Sequence, residues 1–241
     1  MPAQKPLIIY PNTVPGRFIR RLNRFTAEVM IDGRIEIVHV KNTGRLKELL
    51  LPDAEVTLQK SGNPSRKTAY DLISVYKPGL EWVNIDSLAP NALMKLQLRA
   101  MGYDVVHLEY TYGKSRFDFY MERDRKRYLT EVKGCTLAAD SSCLTGNHFF
   151  QDLKVGLFPD APTERGVKHL NELAAAVQEG FECSISFVIQ MNGISRVFPN
   201  HETHPAFGEA LEKAVRAGVG INYYQCHVEA DRIEIIDSII S

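Results

Sequence analysis

Three charged side chains on two neighbouring strand-like runs form the group in this sequence best suited to chemistry. Folding the runs as a hairpin about Asp124 and Arg125 places Asp118 directly opposite Glu131. Opposed residues in an antiparallel pair have Cβ atoms about 4.5–5.5 Å apart, so the two carboxylates can share one divalent cation. Side chains alternate along a strand, which puts Lys133 on the same face as Glu131. Two acids and a lysine in this arrangement can hold Mg²⁺ and activate water against a phosphodiester.

The same pattern has a plainer interpretation. The chain contains 17 Glu and 13 Lys among 241 residues, so chance alone gives about one Glu-x-Lys. A solvated hairpin face would also present Asp118, Glu131 and Lys133, and a one-residue slip would move all three to the other face. Two apposed carboxylates without a cation are costly, which favours the functional interpretation.

Composition excludes several classes of protein. Hydrophobic residues make up 44% and charged residues 24% of the chain, as in an ordinary globular protein. No run approaches the roughly 18–20 apolar residues that span a bilayer, and residues 1–6 lack the features of a signal peptide, so we expect no membrane partner and a cytoplasmic location. The four cysteines form no C-x-x-C pair, which argues against a zinc site or a disulfide framework.

The zero net charge conceals an asymmetry between two parts of the chain. Residues 1–84 contain 13 Lys and Arg against 8 Asp and Glu, whereas residues 85–241 contain 16 against 21. A part with net charge +5 can attract a polyanion while the other part recruits a metal. A difference of this size is also common between unrelated domains.

Residues 1–84 predict a small barrel of the OB type. Short strand-like runs recur at regular spacing, Asp32-Gly33 predicts a tight turn, and residues 46–51 are helix-like. OB barrels commonly bind single-stranded nucleic acid through basic and aromatic side chains. This part supplies such side chains at Arg17, Phe18, Arg20, Arg21, Arg24 and Phe25. A solvated basic strand with both phenylalanines in the core is the alternative.

Residues 85–241 predict an α/β sandwich with a central mixed sheet. Helices are expected at 91–101, 163–179 and 207–217, each closed by a glycine, with strands before, between and after them. In the hairpin we expect Phe117, Phe119 and Val132 to share the face opposite Glu131 and to anchor it in a core.

Several longer strings resemble the sugar fermentation stimulation protein (SfsA) family over nearly the whole chain. They are Asn42-Thr43-Gly44-Arg45-Leu46, Arg66-Lys67-Thr68-Ala69-Tyr70, Ser115-Arg116-Phe117-Asp118-Phe119, Glu131-Val132-Lys133 and Leu157-Phe158-Pro159-Asp160-Ala161-Pro162-Thr163. The resemblance implies an OB-like barrel followed by a nuclease-like domain of the PD-(D/E)xK type. It also implies DNA binding, with a nuclease activity and a role in regulating sugar (maltose) metabolism both proposed for the family.

The same resemblance assigns roles to the hairpin residues. Asp118 and Glu131 take the metal-ligand positions for Mg²⁺ or Mn²⁺, with the Val132 carbonyl as a further ligand. Lys133 orients the attacking water or stabilises the developing phosphorane charge. Many folds of this type add an acid from the preceding helix, but residues 90–100 contain no Asp or Glu, and Asn91 is the only small polar group at the helix start. Glu109 is a substitute ligand or an ordinary edge-strand carboxylate.

Further polar residues suit contact with a nucleic-acid backbone. Arg165 and Lys168 stand at the start of a predicted helix, where phosphates bind readily. Arg45, Arg66 and Lys67 lie on the basic part and could contact phosphates, which give affinity without sequence information, so we expect weak sequence preference. Three more residues have a functional and a structural interpretation each: His169 and Gln190 near the predicted site, and His148 in the loop after Lys133.

Two functions remain open at this point. One is a Mg²⁺-dependent nuclease acting on DNA, with an RNA-processing enzyme of the same chemistry as a variant. The other is a non-catalytic DNA-binding regulator whose nuclease-like domain is idle. The sequence leaves the oligomeric state open, a homodimer included.

Overall fold

A computed structural model describes residues 6–140 and 154–240 of the chain. His148 and Cys143 lie outside the described residues. Within the described ranges, no helix is long and apolar enough to cross a membrane.

The N-terminal sheet closes on itself as a barrel. Its strands are β2 (Thr13–Arg21), β3 (Thr26–Ile31), β4 (Arg34–Val40), β5 (Glu55–Lys60), β6 (Tyr70–Lys77) and β7 (Glu81–Asn84). They follow the order β4-β3-β2-β5-β6-β7, and a short parallel pairing of β4 with β6 closes five of them into the barrel. The inward residues of β3 are fully apolar and buried, as the alternation of its sequence requires.

Of two local predictions for the barrel, the turn at Asp32 and Gly33 is confirmed and the helix at 46–51 is not. Asp32 and Gly33 have φ of +48° and +76°, and they form the expected tight turn between β3 and β4. The helix expected at 46–51 is wrong, since this stretch is a series of turns in which Leu49 and Leu50 donate to the Leu46 carbonyl. Leu46 has φ of +48°, a conformation that an α-helix cannot include.

The first strand of the chain does not belong to the barrel. We expected residues 7–10 to be part of the β-rich N-terminal region, but β1 (Leu7–Ile9) pairs antiparallel with the last strand, β16 (Arg232–Ile239). Strands that are close in sequence usually pair with each other. The pattern of residue types therefore does not predict a pairing between strands at opposite ends of the sequence.

The C-terminal region is an α/β sandwich around a mixed sheet. Seven strands follow the order β1-β16-β15-β13-β10-β9-β8, with β10 and β15 parallel to β13 and the other neighbours antiparallel. The remaining bounds are β8 (Val105–Tyr112), β9 (Ser115–Arg123), β10 (Lys126–Cys135), β13 (Phe181–Ile189) and β15 (Gly220–Glu229). A small third sheet consists of β11 (Leu137–Asp140), β12 (Lys154–Phe158) and β14 (Val197–Pro199).

Three helices cover this sheet. They are α1 (Ala89–Ala100), α2 (Glu164–Gln178) and α3 (Pro205–Arg216), close to the expected bounds. Each is followed within two residues by a glycine with positive φ, at Gly102, Gly180 and Gly218. Leu93 of α1 packs with Val132 on one side of the sheet, whereas Leu170 of α2 belongs to the core on the other side.

The hairpin of β9 and β10 has the expected register. Its ladder runs from Arg123 opposite Lys126 to Phe119 opposite Thr130, so Asp118 and Glu131 are the next positions along the two strands. Asp124 and Arg125 both have positive φ, as a two-residue hairpin turn requires.

One expectation about the hairpin is wrong. Phe119 and Val132 share the α1 side of the sheet, but Phe117 packs on the α2 side, with its ring centroid 5.4 Å from that of His169. The change of side occurs at Asp118, and the residue at the facing position on β8, Glu109, has φ of +53°, outside the regular strand conformation.

Candidate metal and nucleic-acid site

Asp118 lies where the ladder between β9 and β10 ends. Its Oδ2 accepts a hydrogen bond from the Val132 backbone N–H at 2.8 Å, so the side chain takes the place of a strand neighbour. Its Oδ1 accepts from Asn91 Nδ2 at 2.7 Å. Both oxygens are therefore held in fixed positions beside the β10 backbone.

Glu131 is buried on the α2 side of β10 and has two cationic or hydrogen-bonding neighbours. His169 Nδ1 lies 2.6 Å from Oε1, and Lys133 Nζ contacts the same oxygen. The other oxygen, Oε2, has no hydrogen-bond partner among the described residues, although it is shielded from water. A buried carboxylate oxygen without a partner is costly, and such an atom calls for an explanation.

The protonation of His169 follows from its second neighbour. Arg165 Nε, which can only donate, lies 3.4 Å from His169 Nε2. A neutral ring that accepts there carries its proton on Nδ1, which lies 2.6 Å from Glu131 Oε1. Lys133 and His169 thus both lie against Oε1, and Oε2 stays without a partner among the described residues.

The two carboxylates differ in their electrostatics. Burial, followed by the charge of Glu131, raises the pKa of Asp118 above its ordinary value. Burial also acts to raise the pKa of Glu131, but the hydrogen bond from His169 and the charge of Lys133 outweigh it and hold that pKa below its usual range. The site therefore contains one firmly ionised acid and one whose ionisation is opposed, a pattern that an added cation would relieve.

The position of the missing helix acid is filled by Asn91. It stands in the first turn of α1 and holds Asp118 in place, a role that the sequence had left undefined. Glu109 is not part of this group, since its side chain is 67% exposed and pairs with Arg116 at 3.5 Å.

The donor set is small. Among residues 6–140 and 154–240, no group of three or more Asp, Glu, His and Cys side chains is arranged to hold a metal ion. The predicted set contains only two such side chains, Asp118 and Glu131, with the Val132 carbonyl as a backbone donor. Since the N–H and C=O of one strand residue face the same neighbour, the Val132 carbonyl faces the edge where its N–H meets Asp118.

A cleft of about 600 Å³ lies between the barrel and the sandwich, and of the predicted catalytic residues Lys133 lines it. Lys133 lines it from β10, Arg24 from the barrel and Arg165 from α2. The two regions are held together around it by an ion pair of Lys41 with Asp86 at 2.7 Å.

Gln190 is one of the residues that line this cleft, and its amide is bonded to the segment that joins the two regions. Its Nε2 donates toward Asn84 Oδ1 at 2.8 Å and the Asp86 carbonyl at 3.1 Å. Its Oε1 lies so close to the β10 backbone that a Cβ on Gly134 would come within 2.3 Å. Of its two interpretations, the structure therefore favours the structural one.

Most of the predicted barrel arginines are bonded within the barrel. Arg20 makes two hydrogen bonds with Glu28, at 2.8 and 3.2 Å. Arg66 makes a similar pair with Asp71. Arg17 has a longer contact with Glu55, at 3.7 Å.

Arg21 is occupied completely by backbone carbonyls. Its guanidinium donates to the carbonyls of Asn23, Arg24, Asn42, Gly44 and Arg45. An arginine has five N–H donors, so none remains for a phosphate. Arg21 can therefore attract a nucleic acid through its charge but has no N–H group left to donate to a phosphate. Its hydrogen bonds instead order the loop that borders the cleft.

The other predicted cations differ in position. Arg24 has its guanidinium 4.9 Å from the centroid of the exposed Phe25 ring and lines the cleft. Arg45 and Lys67 are exposed elsewhere on the barrel. Arg165 and Lys168 stand at the start of α2, close to His169. The structure thus brings Arg24, Arg165 and Lys133 to one cleft and leaves Arg20, Arg66 and Lys67 outside its lining.

Fold and site together define a class: a protein in which an OB-type barrel is joined to an α/β sandwich that carries a buried carboxylate pair, a lysine and a histidine. Comparison with known proteins gives the family. The SfsA N-terminal OB domain matches residues 19–85, and the Sugar fermentation stimulation protein RE domain matches residues 86–232. The chain belongs to the sugar fermentation stimulation protein family, and the resemblance noted in the motifs is confirmed.

Individual relatives span nearly the whole chain. The Sugar fermentation stimulation protein homolog of Ruminiclostridium cellulolyticum is 46% identical over 230 residues, covering 94% of this chain and 96% of the relative. That of Desulfitobacterium hafniense is 46% identical over 232 residues, covering 95% of each.

A solved structure, described as Pyrococcus furiosus SfsA in complex with Ca²⁺, covers 98% of both chains with a TM-score of 0.81 and 26% identity. The predicted fold class, an OB-type barrel followed by a mixed-sheet α/β sandwich, is confirmed.

Proposed function

We propose that this chain binds DNA in the cleft between its two regions and cleaves phosphodiester bonds with Mg²⁺ or Mn²⁺. The nuclease-like region is then of the PD-(D/E)xK type. The observation that carries the proposal is the buried Glu131 carboxylate beside Asp118, with one oxygen unpartnered within the described ranges and Lys133 on the same face.

The residues fit a hard divalent cation. Asp118, Glu131 and the Val132 carbonyl offer only oxygen donors, which Mg²⁺ and Mn²⁺ prefer. Mg²⁺ commonly binds through one or two carboxylates, keeps several waters and accepts phosphate oxygens, so a small protein donor set is sufficient. The related Pyrococcus furiosus protein is described in complex with Ca²⁺, which supports a divalent site in the family.

Each side chain has a distinct task in this mechanism. The cation supplies Lewis acidity and a water of lowered pKa. Lys133 borders the cleft, where its ammonium group places a positive charge next to the scissile phosphate. His169 holds Glu131 in one orientation, and Asn91 does the same for Asp118. Oriented groups of this kind reduce the reorganisation that the reaction would otherwise require.

The barrel contributes affinity in this proposal. Arg24 and Phe25 offer a cation and an exposed ring near the cleft, as single-stranded DNA binding by OB barrels uses. The contacts offered are charges and ring faces, so we propose weak sequence preference. We propose a cytoplasmic site of action and leave a homodimer open.

A second candidate is a DNA-binding regulator of sugar (maltose) metabolism genes without catalysis. Two observations favour it: Asn91 stands where many nucleases of this fold have an acid, and Lys133 already neutralises Glu131, with His169 against the same carboxylate oxygen. In this alternative the carboxylate pair stabilises the fold or binds a cation without turnover.

The test is cleavage of labelled single-stranded, double-stranded and branched DNA with Mg²⁺ or Mn²⁺. Asp118→Asn serves as the site variant. Asp124→Asn is the matched control, since this acid lies in the turn of the same hairpin with a side chain that is 89% exposed. Cleavage lost only in Asp118→Asn supports the nuclease. Binding without cleavage on every substrate supports the regulator, and equal cleavage by both variants would sink the assignment of the site.

A further inference from the structure

A second basic cleft lies beside the carboxylate pair, on the far side of His169. It has a volume of about 510 Å³ and is bounded by the turn between β8 and β9 and by the start of α2. Its lining residues are Lys114, Ser115, Arg116, Glu164, Arg165, Lys168 and His169. Four of them are lysine or arginine, and the single acid is Glu164, whose highly exposed side chain pairs with His204 at 3.3 Å.

The two walls of this cleft are tied to each other. Lys168 Nζ donates to the Lys114 carbonyl at 2.8 Å, which joins α2 to the β8–β9 turn. The Thr163 side chain caps α2 by accepting from the Gly166 N–H at 3.1 Å. A capped helix start keeps its remaining N–H groups in place and carries a partial positive charge, which favours an anion.

Ser115 provides an independent sign of a ligand. The residue is only 6% exposed, and its Oγ has no hydrogen-bond partner within the part of the chain that the structure describes. Leaving a buried hydroxyl unpaired is destabilising, because the group loses its hydrogen bonds to water without replacing them. A phosphate oxygen in the cleft would accept its proton, and the surrounding cations would balance the charge of the phosphate.

The geometry points to a phosphate subsite formed by Lys114, Ser115, Arg116 and Lys168, which takes one phosphate of the DNA strand bound at the carboxylate pair. This rests on the proposed function, in which the cut phosphate lies at Glu131. His169 lines the subsite and contacts Glu131, and Arg165 borders both this cleft and the one containing Lys133. The subsite therefore holds a phosphate close to the one that is cut, either internal to the strand or at its 5′ end.

The experiment measures binding in EDTA, where a metal-dependent nuclease does not cut. Fluorescence anisotropy with an oligo-dT probe, either 5′-phosphorylated or 5′-hydroxyl, is followed from about 50 to 200 mM salt, the range over which phosphate contacts lose most of their affinity. The test variant is Lys114→Ala with Arg116→Ala. The control is Lys126→Ala, a cation on the same sheet whose side chain is 61% exposed and paired with Glu182, comparable to Arg116 at 60% and paired with Glu109.

We expect the double variant to bind about tenfold more weakly at about 50 mM salt, and the salt slope to flatten by about 0.7 for one lost phosphate contact. A loss on the 5′-phosphorylated probe alone identifies a terminal phosphate, and an equal loss on both probes identifies an internal one. A double variant that matches Lys126→Ala on both probes overturns the subsite.

Ser115→Ala separates the subsite from a structural role. Removing an unpartnered buried hydroxyl should leave Tm unchanged or raise it, while binding weakens a few-fold at an unchanged salt slope. Unchanged binding in this variant also counts against the subsite.

Failure of the subsite is distinguishable from failure of the proposed function. If the variants bind more weakly than the wild type in EDTA as expected, but the wild type never cuts DNA with Mg²⁺ or Mn²⁺, the nuclease proposal is wrong and the subsite stands. If the double variant cuts DNA and also binds it as the Lys126→Ala control does, the subsite is wrong and the nuclease proposal stands.

Discussion

The barrel and the sandwich use their positive charges in opposite ways. The barrel region has an excess of lysine and arginine, yet Arg20, Arg21 and Arg66 are bonded to acids or carbonyls of the same region. The sandwich region has an excess of acids, yet Lys133 and Arg165 converge on one buried carboxylate and its cleft. The net charge of a region therefore does not locate its anion-binding surface.

The two regions differ in how far their charged groups are removed from water. An exposed ion pair such as Arg20 with Glu28 is screened by water and salt and contributes little to stability. Around Glu131 the same kind of contact compensates a charge removed from water, where the interaction is much stronger. Four substitutions test this contrast.

The largest expected effect is at Lys133. Lys133→Ala should reduce metal-dependent cleavage by about 10²–10³-fold, because a preorganised cation next to the scissile phosphate is lost. Arg20→Ala should change the same rate less than about threefold, since its guanidinium is bonded to Glu28. Single-turnover rates on one labelled substrate measure both, and similar losses in the two variants would contradict the contrast.

The next effect concerns the contact between the two regions. A Cβ on Gly44 would lie 2.2 Å from Asp160 Oδ2, and Asp160 is partly buried and accepts from the backbone of Arg45 and Leu46. Gly44→Ala should therefore lower the free energy of unfolding by about 1–3 kcal/mol. Gly62→Ala is the control, because its Cβ would have no atom within 4 Å. Urea denaturation compares them, and equal stabilities would show that the interface adapts.

A smaller effect is expected among the barrel arginines themselves. Arg24→Ala should weaken DNA binding about fivefold, because Arg24 lines the cleft that contains Lys133. Arg17→Ala should weaken it less than about twofold, as Arg17 is directed at Glu55 and the Asp53 carbonyl. Binding titrations in EDTA decide the order, and a larger loss at Arg17 would place the DNA on the other side of the barrel.

The smallest effect is on stability and depends on pH. The pKa of Asp118 is raised in the folded protein, so the neutral form is favoured by folding and its stabilisation is lost as pH rises through that pKa. In EDTA near pH 7, Asp118→Asn should raise Tm by a few degrees, as about 1 kcal/mol would in a chain of this length.

The gain should shrink toward about pH 4, where the Asp118 carboxylate of the wild-type protein is increasingly protonated. Asn91 can rotate its amide to accept from the amide that the substitution introduces, so the hydrogen bond between the two side chains survives. Thermal melts at several pH values test this, and a lower Tm for the variant at every pH would refute it.

The sequence predicted what depends on short-range pattern. Alternation and the turn at Asp124 and Arg125 predicted the β9–β10 register, and the glycines predicted the ends of all three helices. The helix expected at 46–51 was wrong because a left-handed residue, Leu46, cannot be recognised from its side chain.

The details of the site depend on contacts that no pattern encodes. His169 meets Glu131 only because α2 packs across β10, and Asn91 meets Asp118 only because α1 begins above β9. Spacing therefore identified Asp118, Glu131 and Lys133 as a group, while their partners required the fold. The five hydrogen bonds from Arg21 to backbone carbonyls could not be predicted either, because residue types do not show where a loop places its carbonyl groups.

The pairing of β1 with β16 has a consequence for the order of assembly. On the ribosome, the barrel strands from Thr13 to Asn84 are all available early, whereas the partner of Leu7–Ile9 is the last strand to be made. The barrel can thus form while β1 is still unpaired. The edge of the large sheet is completed only when residues 232–239 emerge. A fragment beginning at residue 85 would lack that edge strand and leave β16 exposed to pairing with another chain.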